Sequence, residues 1–132
     1  MSDNWRYVTP PSQSFARVPV CTHLDELDAK IAIIGLHYVS PYPLKFSAAS
    51  ANGAVETAPD AIRRQSSIFT DHLDHYSFDF NDVLLAGREV RIVDCGDIDR
   101  QPAGGQQNPK YITAAIRTIL ERGSNTCCIG HR

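Results

Sequence analysis

The apolar segment at residues 30–35, K-I-A-I-I-G, constrains the fold more than any other part of this chain. A short continuous apolar run that ends at glycine is typical of a strand buried on both faces of a parallel sheet. Residues 36–56 hold two prolines, a glycine and many small residues, and we expect a long loop at the carboxyl end of that strand. Loops in this position often carry function.

A helix is expected after this loop. Pro59 and Asp60 suit the first turn of a helix that begins at Thr57 or Ala58 and ends near Phe69. The next segment, residues 71–82, is polar and aromatic and predicts a connection with one short turn or strand.

The rest of the chain repeats the same alternation. Residues 88–97 predict a second strand whose carboxyl end delivers two aspartates. Apolar positions with helical spacing at residues 112–120 predict a second helix that ends at Gly123. Residues 126–130 predict a third strand. This order predicts an α/β fold with a doubly wound parallel sheet, whose ligands lie at the carboxyl ends of the strands.

Length and composition indicate one globular unit. The 132 residues are 42% hydrophobic and 21% charged, and residues 1–29, with three prolines, are expected to be an irregular extension of the domain at 30–132. The formal net charge of -2 predicts neither nucleic acid nor a membrane as partner. The four cysteines have neither zinc nor disulfide spacing and are interpreted as reduced thiols. The start shows no apolar signal segment, which predicts a cytoplasmic protein.

Three segments in order resemble the ureohydrolase family of arginases and agmatinases. Beside the apolar strand, residues 53–63 resemble the family's G-A-x-x-x-x-P-x-A-I-R helix entry, and residues 93–98 resemble its D-x-G-D strand end. The likeness covers residues 30–129 and looks closest to agmatinase-like proteins. It implies the N-terminal portion of a three-layer α/β/α arginase-like fold, whose whole domain is roughly two or three times as long.

The resemblance implies a hydrolase of linear amidines that uses two manganese ions. A metal-bridging hydroxide attacks the guanidinium carbon of a small substrate and releases urea and an amine. The family holds the ions with G-G-D-H, D-A-H-x-D and S-x-D-x-D-x-x-D-P motifs, and the last two occur nowhere in these residues. His131 stands for the metal histidine of the first motif, or it belongs to an aberrant tail. We therefore expect a truncated site that is inactive alone.

Several other residues have both a functional and a structural interpretation. Asp94 and Asp97 occupy positions suited to metal ligands, but the resemblance implies that they support neighbouring loops. His72 and His75 have an H-x-x-H spacing, which we interpret as a solvated connection because further ligands are missing nearby. His37 follows the first strand, either at a pocket edge or as an ordinary loop residue.

The remaining candidates are basic, sulfur-containing or glycine residues. Arg63 and Arg64 would repel a guanidinium substrate, and we expect salt bridges to an acid of this chain or of another subunit. Cys127 and Cys128 are expected to pack in buried positions on alternate faces of a strand. The pair at residues 104–105 lacks the spacing of a phosphate-binding loop.

Three functions follow from these observations. The first is an agmatinase-like ureohydrolase, which is expected to be a homo-oligomer in analogy with its family. The second is a non-catalytic interaction module that associates with full-length homologues through an exposed edge strand. The third is a small α/β binding protein that uses the loop at residues 36–56.

Overall fold

A four-stranded sheet organises the part of the chain that the computed structural model describes, residues 8–36, 58–69, 74–98 and 109–130. The strands are β1 Val8–Thr9, β2 Ile31–Leu36, β3 Tyr76–Ser77, β4 Asp82–Val83, β5 Ile92–Ile98 and β6 Asn125–Ile129. The helices are α1 Ala58–Phe69 and α2 Pro109–Glu121. The main sheet has the order β1-β5-β2-β6, and β3 and β4 form a separate hairpin. No helix in the described ranges is long and apolar enough to cross a membrane.

Strand β2 lies at the centre of the sheet because its residues are apolar on both faces. It pairs in parallel with β5 on one side and with β6 on the other, which confirms the predicted parallel arrangement. The chain runs from β2 outward to β5 and then returns across β2 to β6. The predicted α/β fold is therefore confirmed, with one antiparallel strand added at the edge by β1.

One face of the sheet packs against α2. Alternate residues of β2 and β5 point to this face, as expected for strand geometry. They meet the apolar stripe of α2, Leu24 of a 3-10 turn at Leu24–Glu26, and Leu27, which follows that turn. The buried members of this core are Leu24, Leu27, Ala32, Ile34, Leu36, Val93, Cys95, Ile98, Ala115 and Ile119.

The opposite face carries α1 and is more polar. Ile33 and Gly35 alternate with the core residues of β2, and they pair with Asp94 and Asp97 of β5. The side chain of Arg63 in α1 reaches both aspartates. Because the two helices lie on opposite faces, the described residues form three layers in the order α1, sheet, α2.

The N-terminal segment joins the sheet more closely than its prolines suggested. Strand β1 pairs antiparallel with β5, and the sequence prediction missed it because it has only two residues before Pro10. Further along, the amide of Asp94 donates to the carbonyl of Pro19 at 2.9 Å, and the amide of Cys21 donates to the carbonyl of Asp94 at 2.9 Å. Residues 8–29 are therefore fixed to β5 at two places.

Element boundaries agree with the sequence predictions with one exception. Helix α1 ends at Phe69 as expected, and Gly123 ends α2 with a φ of 81° and its amide on the carbonyl of Leu120. The second strand was predicted to begin at residue 88, but β5 begins at Ile92. Its partner β2 begins only at Ile31, opposite Ile92, so the preceding residues have no strand to pair with there. Residues 74–90 instead form the β3–β4 hairpin and its turns.

The expected burial of two cysteines is wrong. Cys127 and Cys128 of β6 are both exposed, because β6 lies at the sheet edge and pairs within the described residues with β2 alone. The interpretation of all four cysteines as free thiols agrees with the structure. Cys95 is the fully buried one, and burial, followed by the proximity of Cys21 and Asp94, raises its pKa to about 12.

We predict that alkylation at pH 8 distinguishes these cysteines. The raised pKa leaves a thiolate fraction at Cys95 of about one in ten thousand, and burial blocks the reagent as well. Iodoacetamide should therefore label Cys127 at least ~100-fold faster than Cys95 in the native protein, as measured by peptide mass spectrometry. In denaturant the two rates should converge. Equal native rates would contradict the assigned core.

Candidate functional site

A buried ion-pair cluster joins α1 to the carboxyl end of β5. The side chain of Arg63 is 1% exposed. Its Nε donates to Oδ2 of Asp94 at 2.8 Å and its Nη2 donates to Oδ1 of the same carboxylate at 2.9 Å. Its Nη1 donates to Oδ1 of Asp97 at 2.5 Å. The planar guanidinium group of arginine is the side chain that can donate two parallel hydrogen bonds to one carboxylate and a third to another.

The charge of Arg63 persists in this buried position. Burial by itself lowers the pKa of a guanidinium, but the hydrogen bonds and charges of Asp94 and Asp97 outweigh that effect and raise the pKa of Arg63 above its usual value. A third carboxylate lies near, since Oδ1 of Asp60 is 3.9 Å from Nη1 of Arg63. The cluster thus places one buried cation beside three acidic side chains.

Asp94 is the centre of the cluster because every direction around its carboxylate is occupied. The residue is 0% exposed. Besides the two bonds from Arg63, Oδ2 accepts the amide of Phe15 and Oδ1 accepts the amide of Gly96, each at 2.9 Å. Four donors satisfy the capacity of a carboxylate. Asp94 therefore binds the helix, its own strand and the N-terminal segment together.

A second pair of bonds holds the N-terminal segment against α1. The amide of Ala16 donates to Oγ of Ser66 at 2.8 Å, and that hydroxyl donates to the carbonyl of Arg63 at 2.6 Å. Ala16 and Arg17 adopt φ values of 46° and 58°, in the left-handed region that is unfavourable for residues other than glycine. The surrounding contacts therefore impose this conformation on the turn at Phe15–Arg17.

A bulge in β5 explains how two aspartates three residues apart reach one guanidinium. Side chains three apart in a regular strand point to opposite faces. Here Ile33 pairs with Asp94 and Gly35 pairs with Asp97, so β5 holds one more residue than β2 over this stretch. Gly96, with a φ of 83°, supplies the conformation that the extra residue needs. The spacing D-x-G-D is therefore the sequence of a bulged strand end.

Three glycines allow close approaches around the cluster. A Cβ at Gly35 would lie 1.8 Å from Oδ1 of Asp97 and 3.0 Å from Cβ of Pro59. A Cβ at Gly130 would lie 2.5 Å from Cδ of Pro59. Gly96 passes close to Thr9 in the same way. The N-terminal half of α1 thus contacts the ends of β2 and β6 through Pro59 and the end of β5 through Arg63.

The structure settles some of the site predictions. Asp94 and Asp97 have the predicted supporting role, and the salt bridge expected for Arg63 is confirmed. Arg64 is exposed on α1, and His75 precedes β3 in the hairpin rather than lying on a helical turn. The other candidates, His37, His72, the glycine pair 104–105 and His131, lie outside the described residues, as does most of the loop at 36–56.

The described residues do not fit a manganese centre. No three His, Cys, Asp or Glu side chains in the described ranges come together as ligands. Asp94 has no lone pair left for a cation, and the Arg63 guanidinium, 2.5 Å from Asp97, would repel one. The two aspartates therefore support the strand end, and we assign them no part in metal binding.

Sequence reasoning missed the contacts of Gly35, Pro59 and Gly130. All three belong to segments that carry other signals: the glycines end strands, and the proline begins a helix. A glycine between two aspartates at the end of an apolar strand was the available sign of the bulge. Gly35 lies beneath the carboxylate of Asp97 because these two residues are paired in neighbouring strands. The register of strand pairing cannot be read from the sequence alone.

The fold and the cluster together define a class of protein. A doubly wound α/β sheet with a bulged D-x-G-D strand end, held by an arginine of the first helix, is the described framework. The model of the arginase family matches residues 29–130, so the chain belongs to the arginase family. Ureohydrolase-type hydrolysis is the general activity of that family. Searches among curated proteins and among solved structures gave no match.

We predict that conservative changes in the cluster destabilise the chain. Arg63→Lys loses the fork geometry, and Asp94→Asn places an amide NH2 against two donors in either orientation, since each carboxylate oxygen accepts one guanidinium and one backbone N–H. Each should lower the free energy of unfolding in urea by about 3–5 kcal/mol. The exposed neighbour offers the control Arg64→Lys, which should stay within about 0.5 kcal/mol. Losses below about 1 kcal/mol in the cluster variants would contradict its assigned role.

A matched pair of glycines separates steric clash from backbone strain. Gly96 and Gly123 have nearly the same φ, 83° and 81°, but a Cβ would lie 2.2 Å from the carbonyl oxygen of Thr9 at Gly96 and meets open space at Gly123. Gly123→Ala should cost about 1–2 kcal/mol from strain alone. Gly96→Ala should cost more and should speed hydrogen exchange in β1. Equal costs would show that β1 does not pack on the bulge.

Proposed function

We propose that this chain forms the first parallel strands and helices of a manganese-dependent ureohydrolase of the agmatinase type. The observation that carries the proposal is the Arg63 cluster: it is assembled from the two segments that resemble the family motifs, the helix entry at 53–63 and the strand end at 93–98. Residues far apart in sequence thus meet in one contact. This contact supports the assignment of both motifs to one ureohydrolase scaffold.

The position of the cluster supports a role beneath a reaction site. In open α/β sheets ligands bind outside the carboxyl ends of the strands. Pro59 and Arg63 contact those ends in all three parallel strands, through Gly35, Gly130 and Asp97. Precise placement of reacting groups depends on such supporting residues, even though they never touch the substrate. We assign the cluster the role of fixing the backbone from which the site's loops depart.

Manganese enters the proposal through the family, whose members are generally manganese-dependent. His131 is the candidate ligand from the sequence, and it lies outside the described residues. The aspartate-rich motifs that complete the family's site do not occur in the 132 residues. When bound, the ions would supply a water of lowered pKa as nucleophile. We therefore propose that these 132 residues alone do not turn over a guanidino substrate.

Two assays of urea release test this function. The 132-residue chain with manganese should release no urea from agmatine, arginine or guanidinobutyrate. Residues 1–129 joined to the part of an intact agmatinase that begins at its G-G-D-H motif should release urea from agmatine faster than from the other two. Chelation should abolish that activity.

The outcomes of these assays separate the parts of the proposal. Turnover by the 132-residue chain would contradict the proposed inactivity of these residues alone. A graft that unfolds cooperatively but leaves all three substrates intact would remove the ureohydrolase function of this scaffold. A preference for arginine would contradict the assignment to the agmatinase type and leave the ureohydrolase function standing. The control is the same graft with a metal aspartate of D-A-H-x-D replaced by asparagine, which should be inactive.

A non-catalytic interaction module is the second candidate, and the edge position of β6 favours it. Among the described residues β6 pairs with β2 only, and its two cysteines are exposed. A strand edge of this kind accepts another strand. Gel filtration with an intact homologue would show co-elution if the candidate is correct, and separate elution would remove it.

A further inference from the structure

Two cysteines from distant parts of the chain are neighbours in the fold. The amide of Asp94 donates to the carbonyl of Pro19, and the amide of Cys21 donates to the carbonyl of Asp94, both at 2.9 Å. These two bonds make a parallel bridge in which Val20 is the partner of Asp94. The next residue on each side of the bridge is a cysteine, Cys21 on one and Cys95 on the other. The register therefore places the two cysteines next to each other.

Burial and electrostatics agree with this register. Cys95 is 0% exposed and belongs to the core between the sheet and α2, and Cys21 is partly buried against the same core. Side chains at matching positions of paired strands point to one face, so both thiols lie on the side of α2. Burial, then the proximity of Cys21 and then that of Asp94 raise the pKa of Cys95 to about 12. The second of these causes acts only when the two sulfur atoms are close.

The spacing of the two backbones suits a disulfide. Neighbouring strands lie about 4.8 Å apart, and a disulfide joins Cα atoms that are roughly 4.4–6.8 Å apart. Cys21 lies outside the regular strands, between the bridge at Val20 and the 3-10 turn at Leu24–Glu26, so its backbone can adjust to the bond. Cys127 and Cys128 lack this geometry, because adjacent residues of a strand point to opposite faces.

The two thiols differ in access, as an oxidant-sensitive pair requires. Cys21 is partly exposed, so a dissolved oxidant reaches its sulfur first. Cys95 is enclosed, and its raised pKa leaves a thiolate fraction of about one in ten thousand at pH 8. A well-oriented neighbouring group acts at an effective concentration of roughly 10⁵ M or more, which outweighs that fraction. Cys95 can therefore react with Cys21 although dissolved reagents do not reach it.

We propose that Cys21 and Cys95 form a reversible disulfide in response to hydrogen peroxide, and that this bond locks residues 8–29 onto β5. Phe15 belongs to the same segment and donates to Asp94, so the lock also holds this donor in place. Disulfides of intracellular proteins are usually transient and redox-sensing. The proposal does not depend on the proposed catalytic function, because the reaction uses neither the Arg63 cluster nor the ends of the parallel strands.

The reaction has two steps that balance. The thiolate of Cys21 attacks one oxygen of the peroxide, the O–O bond breaks, and a sulfenic acid and water form. The sulfur of Cys95 then attacks the sulfenic sulfur, so that an S–S bond forms and the S–O bond breaks. The departing hydroxide takes the proton of the Cys95 thiol and leaves as a second water. The two thiols lose two electrons, which reduce one peroxide to two waters, and a dithiol reverses the bond by exchange.

Peroxide treatment of the full chain tests the pairing. The background for the experiment is Cys127→Ser with Cys128→Ser, which removes the two exposed thiols. After remaining thiols are blocked, peptide mass spectrometry should find the peptides of Cys21 and Cys95 joined, with a mass lower by two hydrogen atoms. At micromolar protein this pair should exceed joined pairs between molecules at least ~10-fold, because the reaction is intramolecular.

Single variants in that background separate the two steps. In Cys95→Ala the reaction should stop at the sulfenic acid of Cys21, which dimedone labels. The intact pair consumes this acid, so dimedone labelling of Cys21 should be at least ~10-fold lower there. Cys21→Ser should leave Cys95 unoxidised because it removes the accessible thiol. Since Cys21 is only partly buried, the thermal midpoint of this variant should stay within about 2 °C of the background.

The lock itself is measured as stability and hydrogen exchange. A bond between residues 21 and 95 closes a long loop and constrains the unfolded chain, so the oxidised background should melt roughly 10 °C above the reduced one. Exchange of the Phe15 and Cys21 amides should slow at least ~10-fold on oxidation, because both amides bond to Asp94. Dithiothreitol should return both values to those of the reduced protein.

Each outcome decides the proposal. A joined pair with a raised thermal midpoint supports it. Sulfenic or sulfinic acid that persists on Cys21 while Cys95 remains a thiol would contradict the pairing. A joined pair that forms only in denaturant would show that the two thiols do not meet in the folded chain. A joined pair that leaves the thermal midpoint and the exchange rates unchanged would overturn the lock.

Discussion

The rest of the described structure depends on one buried cation, the guanidinium of Arg63. Placing an arginine under a sheet is costly unless each of its polar directions finds a partner. Two aspartates provide those partners only because β5 is bulged, and the bulge is possible only because residue 96 is a glycine. Gly35 then has to lack a side chain so that the second carboxylate can lie above it. A single charged group thus constrains the residue types at four positions of two strands, Gly35, Asp94, Gly96 and Asp97.

The cluster shows that an acidic residue in a family motif can be structural. Sequence inspection alone does not distinguish such a residue from a metal ligand or a catalytic acid. Aspartates at the carboxyl end of a parallel strand occupy the place where metal ligands and catalytic acids are usually found. In this chain Asp94 has its full complement of donors and no exposure, so its chemistry is complete within the protein. Family motifs that contain acidic residues therefore need not mark the reacting groups. Some of them mark the support that keeps the reacting groups in position.

The sequence predicted the elements better than it predicted their contacts. Residues 30–35 form a continuous apolar run and residues 112–120 have helical spacing, so β2 and α2 were found, and Gly123 marked the end of α2. Strand β1 was missed because two residues give no period at all. The burial of Cys127 and Cys128 was wrong because apolar character does not tell a central strand from an edge strand. The salt bridge of Arg63 was expected, but its fork geometry depends on the bulge, which only strand register reveals.

The sequence distances spanned by the cluster have a consequence for the order of folding. Arg63 precedes Asp94 by 31 residues, and Phe15 precedes it by 79. During synthesis the helix with its arginine and the N-terminal segment both leave the ribosome well before their common partner exists. Contacts of such long range close slowly, because the intervening chain loses entropy first. The N-terminal segment and α1 therefore cannot complete these contacts until β5 has been synthesised and can pair with β2.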